Sequence, residues 1–294
     1  MTTGEPGSRT EMNPKLLYTL RVAAYFVLLA AINFAAFDGV PYLASLIVSS
    51  SADSTFVFLL AVIGYLLGTL VLTWGFCRLD RDALVDLGLH RPIWLARTLW
   101  GWALGAALVL LVFAVFWMAG WVSVEHMSPP LLALAASLLA WILISFVEEL
   151  TFRGYILQYL AKGWGMPTAV LVSSILFGAV HSLNPEANAL GIFNIVFAGG
   201  FFATGYLVTR SLWFASGLHM GWNLTLIHLL GFAGSGYTEP SLLQSTVDGP
   251  VLLTGGAFGP EGGLVGLGAW LLGIALLLGY WMVRLREKER GREK

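Results

Sequence analysis

The chain has few charged residues and a single cysteine. Of its 294 residues, 11% are Asp, Glu, Lys or Arg, whereas soluble domains carry about 25%. A chain with so little charge cannot cover a water-facing surface, and this excludes an ordinary soluble domain. The lone cysteine, Cys77, excludes an internal disulfide framework, and no Cys/His spacing resembles a zinc finger. We expect no nucleic-acid partner, and the sequence leaves the oligomeric state open.

Long apolar runs are abundant instead, since 57% of the residues are hydrophobic. A helix needs roughly 20 apolar residues to cross the hydrocarbon core of a bilayer. Runs of that length fall at 17–37, 56–77, 97–121, 131–152, 167–184, 189–209, 212–231 and 263–283. The first run has no small-residue cleavage site after it and predicts a membrane helix rather than a removed signal peptide. The sequence therefore predicts an all-α, polytopic membrane helical bundle of about eight transmembrane helices.

The joints divide the chain into five parts. They are a polar N-terminal segment at 1–16, three transmembrane helices at 17–121, a transmembrane core at 131–231, an outer loop at 232–262, and the last helix with a charged tail at 263–294. The joint at 78–94 alternates charged and apolar residues, which predicts a short helix at the membrane interface. The outer loop has room for a short surface helix.

Charge predicts the orientation. With eight crossings, all 16 Lys and Arg residues fall on the side of the N-terminus, and none falls on the other side. The opposite side receives seven acidic residues: Asp38, Asp53, Glu125, Glu186, Glu239, Asp248 and Glu261. Cytoplasmic loops carry the excess of Lys and Arg in membrane proteins. We therefore expect a multi-pass protein of the cell membrane with both termini in the cytoplasm.

Two adjacent carboxylates close the fourth apolar run. Placing a carboxylate in a membrane helix costs about 2.5–3.5 kcal/mol, so Glu148 and Glu149 need a reason to be there. Adjacent helical residues point about 100° apart, and we expect that the two carboxylates do not face the same neighbour. Glu149 and Arg153 are four residues apart in the favourable order for an ion pair, which leaves Glu148 free. Alternatively, this group marks a helix end at the headgroups.

Other polar side chains lie in neighbouring spans. His181 follows Phe177 by one helical turn, and Asn223 follows His219 by one turn. A single buried histidine is more often structural, but buried polar groups in three separate spans all need partners. We expect these side chains to line one shared cavity. Counting from the span ends nevertheless places Glu148 toward the cytoplasmic side and His181 toward the outer side.

This set of side chains supports two kinds of hydrolysis. A carboxylate and an imidazole can hold and deprotonate a water, while a second imidazole and an amide can donate hydrogen bonds to an oxyanion. Alternatively, Glu148, His181 and His219 could hold zinc that activates the water, although the motif HExxH is absent. A proton-coupled carrier is a third possibility, but the chain shows no inverted repeat.

Three segments carry a family resemblance. EELTFRG (148–154), FGAVH (177–181) and HMGWN (219–223) resemble the three motifs of the CPBP family, which includes the type II CAAX prenyl proteases and the related bacteriocin-processing and immunity proteins. The resemblance covers roughly 131–231 and makes that part the catalytic core. It implies a membrane endopeptidase that acts on a peptide or lipidated-protein substrate in the lipid bilayer. A non-catalytic peptide binder, such as a bacteriocin self-immunity factor, is the alternative.

The resemblance also implies a role for each motif residue. Glu148 would be the general base, and His181 would help to position the water. His219 and Asn223 would form the oxyanion hole, while Glu149 and Arg153 would hold the first acid in place. We favour a reaction without a metal or other cofactor, because Asn223 is a poor zinc ligand and a good oxyanion donor; zinc remains the alternative cofactor.

Overall fold

The computed structural model describes residues 12–47, 54–90 and 92–292. Most of the predicted polar N-terminal segment, together with Asp53 and Arg91, lies outside the described residues. The α-helices follow one another in this order: α1 (Pro14–Phe34), α2 (Val40–Ile47), α3 (Ser54–Leu79), α4 (Trp94–Met118), α5 (Leu131–Glu149), α6 (Leu157–Trp164), α7 (Met166–Val180), α8 (Ala189–Thr209), α9 (Leu212–Asn223), α10 (Val251–Thr254) and α11 (Leu264–Arg292). The predicted polytopic helical membrane bundle is confirmed.

Seven helical stretches in the described residues are long and apolar enough to cross a membrane. The eighth predicted span, at 212–231, is helical as well, because α9 continues into a π-helical segment at Leu224–Leu229. Its two histidines and its asparagine make it more polar than the other seven. Most of its side chains are buried inside the bundle, so protein rather than lipid surrounds them. This helix carries His219 and Asn223.

The helix with the two glutamates is longer than predicted. A π-helical segment at Leu150–Ile156 joins α5 to α6, and the continuous stretch Leu131–Trp164 has 34 residues. At 1.5 Å per residue it is roughly 50 Å long, well beyond the roughly 30 Å of a hydrocarbon core. The predicted end at 152 is therefore wrong, and Glu148 lies about midway along the helix. The alternative that the acidic pair marks a helix end is wrong too.

Two joints also differ from their predictions. In the described residues of the joint at 78–94, a 3-10 turn at Leu84–Leu87, whose last residue is buried, follows the end of α3 in place of the predicted amphipathic helix. The outer loop holds the short helix α10, as the sequence allows, and also a strand. This strand, β2 (Leu243–Val247), pairs antiparallel with β1 (Val122–His126), with Val122 opposite Val247. The ribbon went unpredicted because its two strands are distant in sequence.

Contacts between joints define two ends of the bundle. At one end Arg21 pairs with Asp80, Lys162 pairs with Asp82, and the Leu212 amide donates to the Gly88 carbonyl at 3.0 Å. We call this the basic end, since the helix ends and joints there carry Lys15, Arg78, Arg81, Arg97, Lys162, Arg210 and the tail from Arg284. The other, or acidic, end contains the β1–β2 ribbon, Glu125, Glu186, Glu239 and Asp248. Arg153, predicted in a joint, is instead buried within the bundle.

Glycines bring α9 against α4. Gly217 and Gly221 of α9 are spaced four residues apart, as are Gly101 and Gly105 of α4. A Cβ on any of the four would overlap backbone atoms of the facing helix. Small residues at this spacing allow helix backbones to approach closely within a membrane. Because His219 lies between Gly217 and Gly221, this contact fixes the position of the histidine.

Candidate active site

Glu149 is the centre of a buried polar cluster. Its side chain is fully buried, and its Oε1 accepts a hydrogen bond from Arg153 Nη1 at 2.9 Å. The same oxygen lies 3.0 Å from His219 Nδ1. An ionised carboxylate only accepts hydrogen bonds, so Nδ1 of His219 carries the hydrogen and donates it. Glu149 therefore orients both Arg153 and His219, and its contact with the histidine was not predicted.

Glu148 approaches the opposite edge of the same imidazole. Its Oε2 lies 3.8 Å from His219 Nε2, which is beyond hydrogen-bonding distance, and it has no hydrogen-bond partner among the described residues. The expectation that the two carboxylates would not face one neighbour is wrong. An imidazole presents its nitrogens on two edges, and both flexible Glu side chains reach it. The Glu148 side chain retains 22% of its exposure.

Arg153 is held by aromatic rings as well as by its ion pair. Its Nη2 donates to the Gly199 carbonyl at 2.9 Å, and its guanidinium lies 4.4 Å from the centre of the Phe177 ring. Phe202 stacks on His219, with ring centres 4.4 Å apart. These contacts fix the arginine and the histidine in one arrangement. A buried Arg with this many partners supports the position of the reactive groups and does not itself line the cavity.

His181 and Asn223 are oriented by local hydrogen bonds. His181 Nδ1 lies 2.7 Å from the Phe177 carbonyl oxygen, which only accepts, so a neutral His181 presents Nε2 as an acceptor. Asn223 Nδ2 donates to Ser145 Oγ at 3.3 Å, and its second amide hydrogen remains available. Ser145 lies one turn before Glu149 on the same helix. One histidine thus offers an acceptor and the asparagine a donor.

These groups line one cavity of about 890 Å³, whose wall includes Glu148, His181, His219 and Asn223. Glu149 and Arg153 lie behind that wall. The rest of the lining comes mainly from α1, α3, α8 and the outer loop, and includes the aromatic residues Phe26, Phe34, Phe37, Phe58, Tyr65, Trp141 and Tyr237. The depth difference counted from the span ends disappears, because Glu148 is mid-helix and faces the same cavity as His181.

The outer loop contributes a carboxylate, Glu261, for which the sequence predicts only that it lies on the side of the membrane opposite the N-terminus. Glu261 is 4% exposed and lines the cavity. Its Oε1 accepts from Trp222 Nε1 at 2.7 Å, and its Oε2 accepts from the Ser235 amide at 2.5 Å and hydroxyl at 2.6 Å. Ser235 in turn accepts from Asn184 through its carbonyl at 3.2 Å. Glu261 therefore connects the helix of His219 to the segment that follows His181.

The polar side chains of the cavity are also the candidates for metal ligands. Within residues 12–47, 54–90 and 92–292, no three His, Cys, Asp or Glu side chains are grouped so that they could hold a metal ion. The Nδ1 atoms of His181 and His219 bond Phe177 and Glu149, so Nε2 is the nitrogen of each ring that remains open to a ligand. The third histidine of the spans, His228, bonds the Pro240 carbonyl at 2.9 Å and does not line the cavity.

Several contacts of the site left little signal in the sequence. Ser145 could have been found from its helical spacing to Glu148 and Glu149. Phe177 belongs to the motif FGAVH, but its stacking on Arg153 depends on tertiary structure. Phe202 and Glu261 reach the site from a separate helix and from the outer loop, where no local pattern marks them.

The fold and the site define a multi-pass helical membrane protein with a Glu–Glu–Arg–His cluster beside a largely apolar cavity. The family model of Rce1-like type II CAAX prenyl endopeptidases matches residues 129–225. This part of the chain is thus similar to that family, and the match covers the two glutamates, the arginine, both cavity histidines and Asn223. The match supports the general conclusion that the protein is a membrane endopeptidase of the CAAX-type intramembrane class. None of the curated proteins compared with the chain matches it.

Proposed function

We propose that the protein is a glutamate-type intramembrane endopeptidase that hydrolyses a peptide bond without a metal. The observation that carries this proposal is Glu148, whose side chain lines a cavity shared with His181, His219 and Asn223 and whose buried Oε2 has no hydrogen-bond partner among the described residues. A carboxylate without a hydrogen-bond donor, next to an acceptor nitrogen, is suited to receive the proton of a water.

In the proposed reaction, a water donates one hydrogen to Glu148 and the other to Nε2 of His181. As Glu148 takes the proton, the water oxygen attacks the peptide carbonyl carbon. Glu148 then returns the proton to the departing amine. The hydrogen bond to the Phe177 carbonyl holds His181 before substrate binds, so this ring needs little reorganisation during the reaction.

The oxyanion that forms is stabilised by His219 and Asn223. Because Nδ1 of His219 already donates to Glu149, Nε2 carries a hydrogen only when the ring is protonated. The proposal takes His219 in this form, with the Glu148 and Glu149 carboxylates beside the ring and the Arg153 guanidinium paired with Glu149. The free amide hydrogen of Asn223 is the second donor. Preorganised donors of this kind are worth far more in a water-poor site than in water.

The test is cleavage of a peptide library by the purified protein in proteoliposomes, followed by mass spectrometry. The wild-type protein should cut a subset of peptides, and Glu148→Gln should bind the same peptides without cutting them, because an amide cannot accept the proton. Ser137→Ala, which removes a buried hydroxyl on the same helix, is the control and should cut normally. Binding without cleavage by the wild-type protein would instead establish a peptide-binding immunity-type factor.

A further inference from the structure

Glu261 is a buried carboxylate that the proposed reaction does not use. It lies in the 3-10 turn Pro260–Gly262 and is 4% exposed. It also lies outside residues 129–225, so the family match gives it no role. Burying an ionised side chain is costly unless it is paired or hydrogen-bonded. Its place in the cavity wall therefore requires compensating contacts on both carboxylate oxygens.

Both oxygens of Glu261 are held by hydrogen-bond donors. Oε1 accepts from Trp222 Nε1 at 2.7 Å, and Oε2 accepts from the amide and the hydroxyl of Ser235. The backbone is fixed as well, because Asn194 Nδ2 donates to the carbonyls of Glu261 and Gly263 at 3.1 and 3.0 Å. The Trp222 indole and the Ser235 amide can only donate. A carboxylate therefore fits between them, whereas the NH₂ group of a glutamine would face one of the two donors.

The indole of Trp222 carries this anchor to the oxyanion donor Asn223. Trp222 directly precedes Asn223, the residue at which α9 ends and the π-helical segment Leu224–Leu229 begins. Single π-helical turns within helices are frequent at functional sites. The indole is 1% exposed, and its ring centre lies 5.0 Å from that of Trp270 on α11. A fixed indole at this point also fixes the adjacent backbone, from which the Asn223 side chain projects.

Asn223 is held less firmly than His219, the other oxyanion donor. The hydrogen bond from Asn223 Nδ2 to Ser145 Oγ is 3.3 Å long, which is longer than usual for such a bond. His219, by contrast, donates to Glu149 at 3.0 Å and stacks on Phe202. Loss of the anchor on the indole should therefore displace Asn223 more than His219.

We propose that Glu261 is a positioning residue for the reaction, and that its carboxylate, acting through Trp222, holds the Asn223 amide where the oxyanion forms. This inference rests on the proposed peptidase function. A displaced oxyanion donor weakens binding of the transition state but not binding of the substrate. Loss of the Glu261 carboxylate should therefore lower kcat and leave KM nearly unchanged, and it should do so only while Asn223 is present.

The test is a double-mutant cycle on the full chain in proteoliposomes, with a peptide that the wild-type protein cleaves. Glu261→Gln keeps the size of the side chain and should lower kcat about 10-fold through displacement of Asn223, with KM nearly unchanged. In an Asn223→Ala background the same change should lower kcat by at most about 2-fold, since the group that Glu261 positions is gone. Trp222→Phe removes the same hydrogen bond from the other side and should show the same dependence on Asn223. This second variant keeps the test available if Glu261→Gln folds poorly.

The control is Glu239→Gln, the same change at another carboxylate of the outer loop. Glu239 accepts a hydrogen bond from Ser137 at 2.8 Å and, among the described residues, is not part of the cavity lining, so kcat should stay unchanged. A purely structural role of Glu261 would lower kcat by the same factor with and without Asn223. That result, or an unchanged kcat in Glu261→Gln, would overturn the proposal while leaving the peptidase function intact. Absence of cleavage by the wild-type protein would instead refute the peptidase function, and the positioning role with it.

Discussion

Removing Arg153 tests whether the buried cluster is organised as the contacts indicate. Arg153 is 1% exposed and neutralises Glu149, which is fully buried. Replacing it with Met leaves the Glu149 carboxylate without its cation and removes the bond to the Gly199 carbonyl. Loss of one partner of a buried ion pair costs about 3–5 kcal/mol. We expect the lower part of that range, because His219 Nδ1 still donates to Glu149.

The double variant Glu149→Gln/Arg153→Met separates stability from activity. It leaves no uncompensated charge, and replacing both members of a buried pair by neutral groups is often close to neutral for stability. We therefore expect the double variant to regain most of the stability lost by Arg153→Met. Its turnover should stay about 100-fold below wild type, since a small displacement of His219 is enough to cost that much.

The measurement is equilibrium unfolding in mixed detergent micelles, followed by tryptophan fluorescence. Arg284→Met is the matched control, because Arg284 forms an ion pair with Glu287 in which both side chains are about 60% exposed. Exposed pairs contribute little to stability, and this control should unfold as wild type does. A loss below about 1 kcal/mol for Arg153→Met, or an equal loss in the control, would refute the reasoning.

Three further predictions concern other parts of the site and fold. Asn223→Ala should lower kcat by about 10²–10³-fold, the usual effect of losing one oxyanion donor, with KM nearly unchanged; a change in KM alone would contradict the assigned role. Trp222→Phe removes a hydrogen bond to Glu261 and should lower kcat about 10-fold, because His219 and Asn223 are displaced. The control Ser137→Ala removes a hydrogen bond to Glu239 in the same outer loop and should leave kcat unchanged. The Asp82 carboxyl is partly buried, which alone would raise its pKa. Hydrogen bonds from Lys162 and Tyr159 nevertheless hold that pKa below its usual range. The stabilisation that results is present above the unfolded pKa of about 3.9 and is lost as pH falls through the folded pKa. Asp82→Asn should therefore be less stable than wild type at pH 7. The gap between their unfolding midpoints should close at acidic pH.

The membrane class and the order of the helices follow from sequence because both depend on local composition. Apolar runs of the right length are sufficient to predict the bundle, and the resemblance at 148–223 is carried by short motifs. The segregation of Lys and Arg is equally local. Among the described residues it survives in the structure except for Arg153, which looks like a joint residue in the sequence because the charges Glu148, Glu149 and Arg153 interrupt an apolar run.

The same charges explain why the helix boundary was wrong. A buried ion pair and a helix end have similar composition, and only tertiary contacts with Gly199, Phe177 and His219 distinguish them. The β1–β2 ribbon and the approach of Glu261 to the cavity also depend on contacts between distant segments. Both carboxylates reach His219 because of side-chain length, which an argument from helical angles ignores.

The central claim is that Glu148 activates water without a metal. The most direct measurement is turnover of a cleaved peptide by wild-type and Glu148→Gln protein, each stripped of metal by exhaustive chelation, with bound metal quantified in the same samples. Wild type should keep its turnover with less than stoichiometric metal, and Glu148→Gln should show none. Loss of wild-type turnover on chelation, with recovery on adding zinc and stoichiometric zinc bound by His181 and His219, would contradict the claim.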